Sequence, residues 1–220
     1  MLSKVLSSAV HGIDAYVVEV ETHMESSIPS ITIVGLPDSA IKESRERVVA
    51  AIKNSGFRFL YNRRITINLA PADIKKEGSA FDLPIALGIL AAQGEISEEK
   101  LDDLIIMGEL ALDGSLRPIH GALPIAVEVS KGAKRGMLVP EANAKEAAMA
   151  GEGIQVYPVS NLIDAVKFLN NGLDLKPLKV SLETIFDQEH NYAVDFQDVR
   201  GQEHVKSRGA EGHGERRGPP

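Results

Sequence analysis

The segment from Asn68 to Pro84 holds the polar residues whose types and spacing come closest to catalytic chemistry. A strand-like run leads into a polar loop that contains Lys75, Lys76 and Ser79, and an apolar stretch follows. Loops at the ends of strands are common positions for functional sites. A desolvated lysine can act as the base that activates a serine hydroxyl, so Ser79 is a candidate nucleophile. The alternative is a basic loop in which this hydroxyl hydrogen-bonds to nearby backbone.

A second polar segment, from Gly108 to Gly121, predicts a β-hairpin. Asp113-Gly114 is a strong turn signal, and a short strand-like run lies on each side of it. The hairpin accounts for the whole segment without a chemical role.

The sequence lacks the signatures of nucleotide hydrolysis and of metal binding. It has no Gly-x-x-x-x-Gly-Lys-Ser/Thr loop and no strand-linked Gly-x-Gly-x-x-Gly, so it lacks the parts of an ATP-hydrolysing site. The six histidines are scattered and have no thiolate partners, so no metal site is expected. The acidic pairs Glu98-Glu99 and Asp102-Asp103 belong to a charge run that a solvated face explains.

Composition excludes further classes of protein. Without cysteine, disulfides and thiolate chemistry are excluded, and a reducing, cytoplasmic setting is favoured. A net charge of -7 argues against nucleic-acid binding over the whole surface, although a local basic patch is compatible with it. Aromatic residues make up 5% and tryptophan is absent, which argues against a platform that stacks single-stranded bases. No apolar run reaches the ~18 residues of a membrane span.

Strands and helices are predicted from periodicity and from capping residues. Alternating or short apolar runs bounded by turn residues indicate strands. These predicted strands are residues 13–21, 30–34, 65–69, 104–107, 136–139 and 155–159. Asp38, Asp82 and Ser160 are the expected N-caps of three helices, and the second of these is apolar nearly all round and therefore buried. Two further helices are predicted at 122–130 and 142–150. This alternation predicts an α/β or α+β domain with a mixed sheet.

The chain divides into stretches of different character. Residues 1–170 alternate strand-like and helix-like segments and are predicted to form one domain. Residues 171–194 lose this periodicity, which indicates a linker. The tail, residues 207–220, has four glycines and two prolines but no Leu, Ile, Val or Phe, so it is expected to be disordered.

Four segments closely resemble one family. They are Gly35–Arg47, Asn68–Asp73, Lys76–Ala86, and Gly108-Glu-Leu with Leu116-Arg-Pro-Ile. Together they resemble the magnesium-chelatase-like AAA+ ATPases of the YifB/ComM family, and the resemblance extends over residues 1–206. It implies an N-terminal domain similar to the Lon protease domain (the ribosomal-S5 domain-2-like fold). It also implies a homohexameric ring that uses ATP and Mg²⁺ to drive DNA branch migration in natural transformation.

In that family a stretch similar to residues 195–206 opens the AAA+ module and lies near the adenine. The resemblance therefore implies that Val199, Gly201 and Gln202 are the candidate cofactor contacts. A helix and a Walker A loop follow in the family, whereas here the glycine- and arginine-rich tail follows Lys206. We therefore expect a chain that is truncated or frame-shifted before the Walker A loop and holds no cofactor of its own.

The resemblance also addresses the catalytic dyad of Lon-type proteases. Matching Gly78 to the first glycine of Gly-Pro-Ser-Ala-Gly puts Ala80 at the nucleophile position, and Leu123 falls at the position of the dyad lysine. Neither side chain can transfer a proton, so no catalytic residue is expected. A Lon-like serine hydrolase that uses Ser79 is the alternative.

The expected role is that of a non-catalytic domain that contacts DNA. Phosphate contacts need lysine or arginine, so Arg63, Arg64, Lys75 and Lys76 are the candidate DNA contacts. Solvated charge explains these four residues equally well. A domain that only oligomerises is a third interpretation.

Overall fold

The computed structural model describes residues 1–12, 14–132, 134 and 136–180. Met1–Val180 form a compact unit. This unit extends ten residues past the domain end predicted at 170, because leucines of the expected linker pack on the core. The predicted AAA+ start at 195–206 and the tail at 207–220 lie outside the described residues.

The described residues form nine strands and five α-helices. The strands are β1 (Leu2–His11), β2 (Asp14–Glu25), β3 (Ser30–Val34), β4 (Arg64–Ala70), β5 (Leu104–Ile106), β6 (Glu109–Leu110), β7 (Leu116–Arg117), β8 (Gly136–Pro140) and β9 (Gln155–Val159). The helices are α1 (Ser39–Asn54), α2 (Asp82–Ala92), α3 (Ala122–Lys131), α4 (Glu141–Ala148) and α5 (Leu162–Leu169).

Seven of the strands form one mixed sheet in the order β3-β4-β2-β1-β5-β8-β9. Strand β2 runs antiparallel to both of its neighbours, β1 and β4. The other four pairings, β3–β4, β1–β5, β5–β8 and β8–β9, are parallel. β6 and β7 form a separate antiparallel hairpin. The predicted α/β class with a mixed sheet is confirmed.

Helices cover both faces of the parallel half of the sheet. Leu104 and Ile106 of β5 face the cluster that contains α1, α2 and α5, whereas Ile105 faces the cluster that contains α3 and α4. Every residue of β5 and β8 is therefore buried, which explains why these strands read as continuous apolar runs. Helix α2 lies entirely within the core, as its apolar sequence predicts.

The predicted strands are present, but the sequence pattern did not predict β1. β1 pairs with β2 along its whole length, from Leu2 opposite His23 to His11 opposite Asp14. Three of its residues are buried serines, Ser3, Ser7 and Ser8, which obscure the alternation of apolar and polar residues. The hydroxyl of Ser3 donates to the carbonyl of Gly88 in α2 at 2.7 Å, and this bond ties strand to helix.

The predicted caps are confirmed at α1 and wrong at α5. The Asp38 carboxylate accepts from the backbone N–H of Ile41 at 2.8 Å. At α5 the capping residue is Asn161, whose side chain accepts from the N–H of Asp164 at 2.8 Å, and not Ser160. The hydroxyl of Ser160 instead donates to Glu141 at 2.8 Å. None of the helices in the described part of the chain is long and apolar enough to cross a bilayer.

Gly35 lies where the chain leaves β3, and its backbone approaches β4 too closely for a side chain. Its φ is +95°, and an added Cβ would lie 2.2 Å from the carbonyl oxygen of Leu69. Gly56 has a similar φ of +82°, but nothing lies within 4 Å of its Cβ position. The two glycines therefore separate backbone strain from steric overlap.

We predict that Gly35→Ala destabilises the chain much more than Gly56→Ala does. Gly56→Ala should cost only the strain of the left-handed backbone, about 1–2 kcal/mol. Gly35→Ala adds to that strain an overlap of the new Cβ with the backbone of Leu69, which cannot move aside. Urea unfolding followed by circular dichroism measures both. Equal losses of unfolding free energy would show that the turn at Gly35 relaxes.

Candidate functional site

The segments that resemble the YifB/ComM family meet in space. The loop after β4 pairs with the turn after β3, where Lys76 N–H donates to Leu36 C=O at 3.2 Å and Asp38 N–H donates to Lys76 C=O at 3.1 Å. Leu83 N–H donates to Gly108 C=O at 2.9 Å and joins α2 to the β6–β7 hairpin. This junction of loop 71–81 with hairpin 108–117 is the candidate site.

A buried carboxylate lies at the centre of this junction. Asp82 was expected to cap α2, and this is wrong: its side chain is fully buried and turns away from the backbone N–H groups of its own helix. Arg47 of α1 donates to it from two guanidinium nitrogens, Nε to Oδ2 at 2.7 Å and Nη2 to Oδ1 at 3.0 Å. The hydroxyl of Ser44 and the N–H of Leu110, the latter at 3.2 Å, also donate to it. One carboxylate therefore joins α1, α2 and β6.

Opposing effects act on the titration of this pair. Burial raises the pKa of Asp82, while hydrogen bonds from Arg47, Ser44 and the Leu110 N–H oppose that rise. The hydrogen bond to Asp82 raises the pKa of Arg47, so the guanidinium stays protonated. The network supplies a partner for every polar atom of the buried carboxylate, which is the condition for burying a charge at acceptable cost.

The candidate nucleophile Ser79 is bonded to a carboxylate and not to a lysine. Its hydroxyl donates to Glu109 of β6. Glu109 also forms an ion pair with Arg117 of β7, with Nη1 3.4 Å from Oε1. A serine hydroxyl that donates to a carboxylate paired with an arginine lacks the free lysine base of a Ser-Lys dyad.

The two lysines of the same loop have other partners. Lys75 is exposed, and its ammonium donates to Glu77 at 2.7 Å. Lys76 is fully buried, and its ammonium donates to the backbone carbonyls of Pro71 and Ile74, the second at 2.7 Å. Burial lowers the pKa of Lys76. The loop is therefore held by its own lysine.

Ala80 and Leu123, the residues that match the Lon dyad positions, serve as backbone contacts. The carbonyl of Ala80 accepts from the N–H of Gly108 at 2.9 Å. The N–H of Leu123 donates to Glu146 at 3.1 Å. Within the described residues no group of three or more acidic or histidine side chains could hold a metal ion.

The four predicted DNA contacts do not form one patch. Arg63 and Arg64 lie at the amino end of β4, whereas Lys75 and Lys76 follow its carboxyl end. The strand between them has seven residues and spans about 20 Å. Arg64 is exposed and pairs loosely with Glu25 at 3.8 Å. Because Lys76 is buried, its ammonium does not reach the surface in this structure.

Sequence reasoning missed Arg47, Ser44 and Glu109 as members of the site. Ser44 and Arg47 are three positions apart on α1, so their shared helix face could be inferred from the sequence. Their partner Asp82 is 35 positions beyond Arg47, and no local spacing relates the two.

We predict that Asp82→Ala lowers the unfolding free energy by about 3–5 kcal/mol, because it leaves the Arg47 guanidinium without its partner. The matched control is Glu46→Ala, which breaks an exposed arginine pair on the same helix and should cost about 0–1 kcal/mol. The double variant Arg47→Met/Asp82→Leu should regain part of the loss. Equal effects of Asp82→Ala and Glu46→Ala in urea unfolding would contradict the central role of this carboxylate.

We predict a pH-dependent contribution from Lys76. Because burial lowers its pKa in the folded state, the unfolded chain binds more protons between that lowered pKa and the usual value of 10.5. Stability relative to Lys76→Met should therefore rise with pH in that interval, by at most about 1.4 kcal/mol per pH unit. Urea unfolding of both proteins from pH 7 upward measures the difference. A difference that falls with pH would mean that the folded state favours the charged ammonium.

Comparison of the sequence with known proteins finds one family and several relatives. The family model for subunit ChlI of Mg-chelatase matches residues 20–143. The competence protein ComM of Haemophilus influenzae is 39% identical over 207 residues, which are 93% of this chain and 40% of ComM. The uncharacterized protein YifB of Escherichia coli is 38% identical over 205 residues, 93% of this chain and 39% of YifB.

A more distant match reaches the archaeal Lon protease of Thermococcus kodakarensis, which is 26% identical over 136 residues, 60% of this chain and 21% of the protease. The chain spans about 40% of the length of ComM and YifB. The chain belongs to the ChlI family of Mg-chelatase-like proteins, in which it corresponds to an N-terminal portion of the ComM/YifB type.

Proposed function

We propose that this chain is the non-catalytic, DNA-contacting N-terminal domain of a ComM/YifB-like AAA+ ATPase that drives DNA branch migration in natural transformation. In such a protein, ATP and Mg²⁺ serve the AAA+ module, for which Val199, Gly201 and Gln202 are the proposed adenine contacts. The subunits assemble into a homohexameric ring, and this domain, with its Lon-like fold, forms one tier of it.

The pairing of polar groups at the candidate site carries the proposal. Asp82 accepts from Arg47, and Ser79 donates to Glu109, which pairs with Arg117. These bonds hold α1, α2 and the hairpin together. A domain organised in this way offers its outer surface for binding. The exposed cations on that surface then become the groups available to phosphates.

Two of the predicted contacts are well placed for a duplex. Arg64 and Lys75 are exposed and lie beyond opposite ends of β4. The strand itself spans about 20 Å, the length of roughly six base pairs of DNA at 3.4 Å per step. Because Lys76 is buried, Arg64 and Lys75, one exposed cation toward each end of β4, are the first pair to test.

The hydrolase alternative has less support. Ser79 donates to Glu109, and the two loop lysines donate to Glu77 and to backbone carbonyls. Casein turnover that is lost on Ser79→Ala would nevertheless replace the proposal. A domain that only oligomerises is the other alternative, and sizing with and without DNA identifies it.

We predict that the 220-residue chain binds a labelled 20-base-pair duplex and that Arg64→Ala/Lys75→Ala weakens this binding. The slope of log K against log salt should fall by about 0.9 for each lost phosphate contact. Fluorescence anisotropy at several salt concentrations measures both quantities. The control is Lys131→Ala/Lys145→Ala, which removes two exposed lysines from α3 and α4. An affinity and a salt slope that stay unchanged in the first double variant would exclude this pair as a DNA interface.

A further inference from the structure

An open groove lies between α1, the start of β3 and the segment that leads into β4. It has a volume of about 360 Å³, and Arg45, Lys53 and Arg63 line it together with Phe59 and Tyr61. This volume is near the lower end of the range of small-molecule sites. The groove is separate from the junction around Asp82, which it does not include.

The walls of this groove are fixed by the core. Ile65 of β4 lies at its floor and is buried, and Phe59 and Leu60 pack against the same core cluster. The amide of Gln93 at the end of α2 holds the segment in place: it accepts from Leu60 N–H at 3.3 Å and donates to Arg58 C=O at 2.9 Å. A site with such walls needs little rearrangement to bind.

The groove combines aromatic faces with cations. Tyr61 is 60% exposed, and Phe59 meets it edge to face with ring centroids 5.3 Å apart. The ammonium of Lys53 lies 4.6 Å from the centre of the Tyr61 ring. The aromatic content of 5% is an average over the whole chain. The fold nevertheless brings these two rings together at one place on the surface.

The charge of the groove is opposite to that of the chain. Three cations face one carboxylate, Glu46, which pairs with Arg45 at 2.8 Å. In the part of the chain that the structure describes, neither Lys53 nor Arg63 pairs with a carboxylate, although Arg63 donates to the hydroxyl of Ser26. The net charge of the protein is -7. An anion is therefore drawn to this part of the surface.

We propose that this groove binds single-stranded DNA, with a base stacked on Tyr61 and the adjoining phosphates on Lys53 and Arg63. Stacking on an aromatic ring beside a basic track is how proteins hold single strands without reading their sequence. The proposal rests on the proposed function and deepens it, since it names the strand type and adds Lys53 and Tyr61 to the candidate contact Arg63.

The test measures anisotropy of a labelled twenty-nucleotide oligo-dT on the full 220-residue chain. Tyr61→Ala should weaken binding by roughly five- to one-hundred-fold, the range for removing one stacked base, whereas Tyr61→Phe keeps the ring and should bind as the unchanged protein does. Lys53→Ala/Arg63→Ala should reduce the salt slope by about 0.7 per lost contact. Arg58→Ala, an exposed arginine of the same segment outside the groove, is the matched control and should change neither quantity. Thermal melts confirm that each variant is folded.

The outcomes separate this proposal from the proposed function. If Tyr61→Ala binds oligo-dT as the unchanged protein does, the groove is not a single-strand site, while duplex binding through Arg64 and Lys75 is unaffected by that result. If Tyr61→Ala weakens oligo-dT binding while Arg64→Ala/Lys75→Ala leaves duplex binding unchanged, the groove is supported as a single-strand site. Arg64 and Lys75 are then excluded as the duplex contacts. No binding of either DNA removes both proposals. Poly-glutamate that competes as well as oligo-dT would overturn the groove as a DNA site, because it would show attraction to any polyanion.

Discussion

The buried carboxylate of Asp82 is the constraint around which this end of the domain is organised. A charged side chain inside a protein is tolerated only when partners replace the lost water. Arg47, Ser44 and the Leu110 N–H supply those partners from two other elements, so α1 and the hairpin must approach the first turn of α2. Ser79 lies three residues before Asp82 and donates to Glu109, which precedes Leu110, so a second bond joins the same two segments.

The same organisation accounts for the bonding of the polar side chains in loop 71–81. Lysines, serines and acids are dense in loop 71–81, which is the composition expected of a catalytic loop. In the fold, the ammonium of Lys76 donates to carbonyls of its own loop, and the hydroxyl of Ser79 donates to Glu109. These polar groups therefore hold the loop together and join it to the hairpin.

The outer surface shows the opposite use of charge. In the groove beside α1, Lys53 and Arg63 lie with the half-buried Phe59 and the exposed Tyr61. The side chain of Gln93 holds the backbone of the segment that carries the two rings. The buried Asp82 is paired with Arg47, whereas Lys53 and Arg63 pair with no carboxylate among the described residues. The same helix serves both purposes, because Arg47 points into the junction and Arg45 and Lys53 line the groove.

The sequence by itself determined the elements that depend on local pattern. Alternation gave β2 and β4, an unbroken apolar run gave the buried α2, and Asp38 was identified as a cap because its partner is three residues away. Asp82 shows the limit: the same residue type before a helix predicts a cap, yet its partner lies 35 positions back on α1. Likewise, Arg45 and Lys53 share a helix face by spacing alone, but only the packing of α1 beside β3 and the segment at 59–63 brings them to Tyr61. Periodicity reports which face of an element is buried; which side chains meet across elements is decided by packing distances that sequence spacing does not contain.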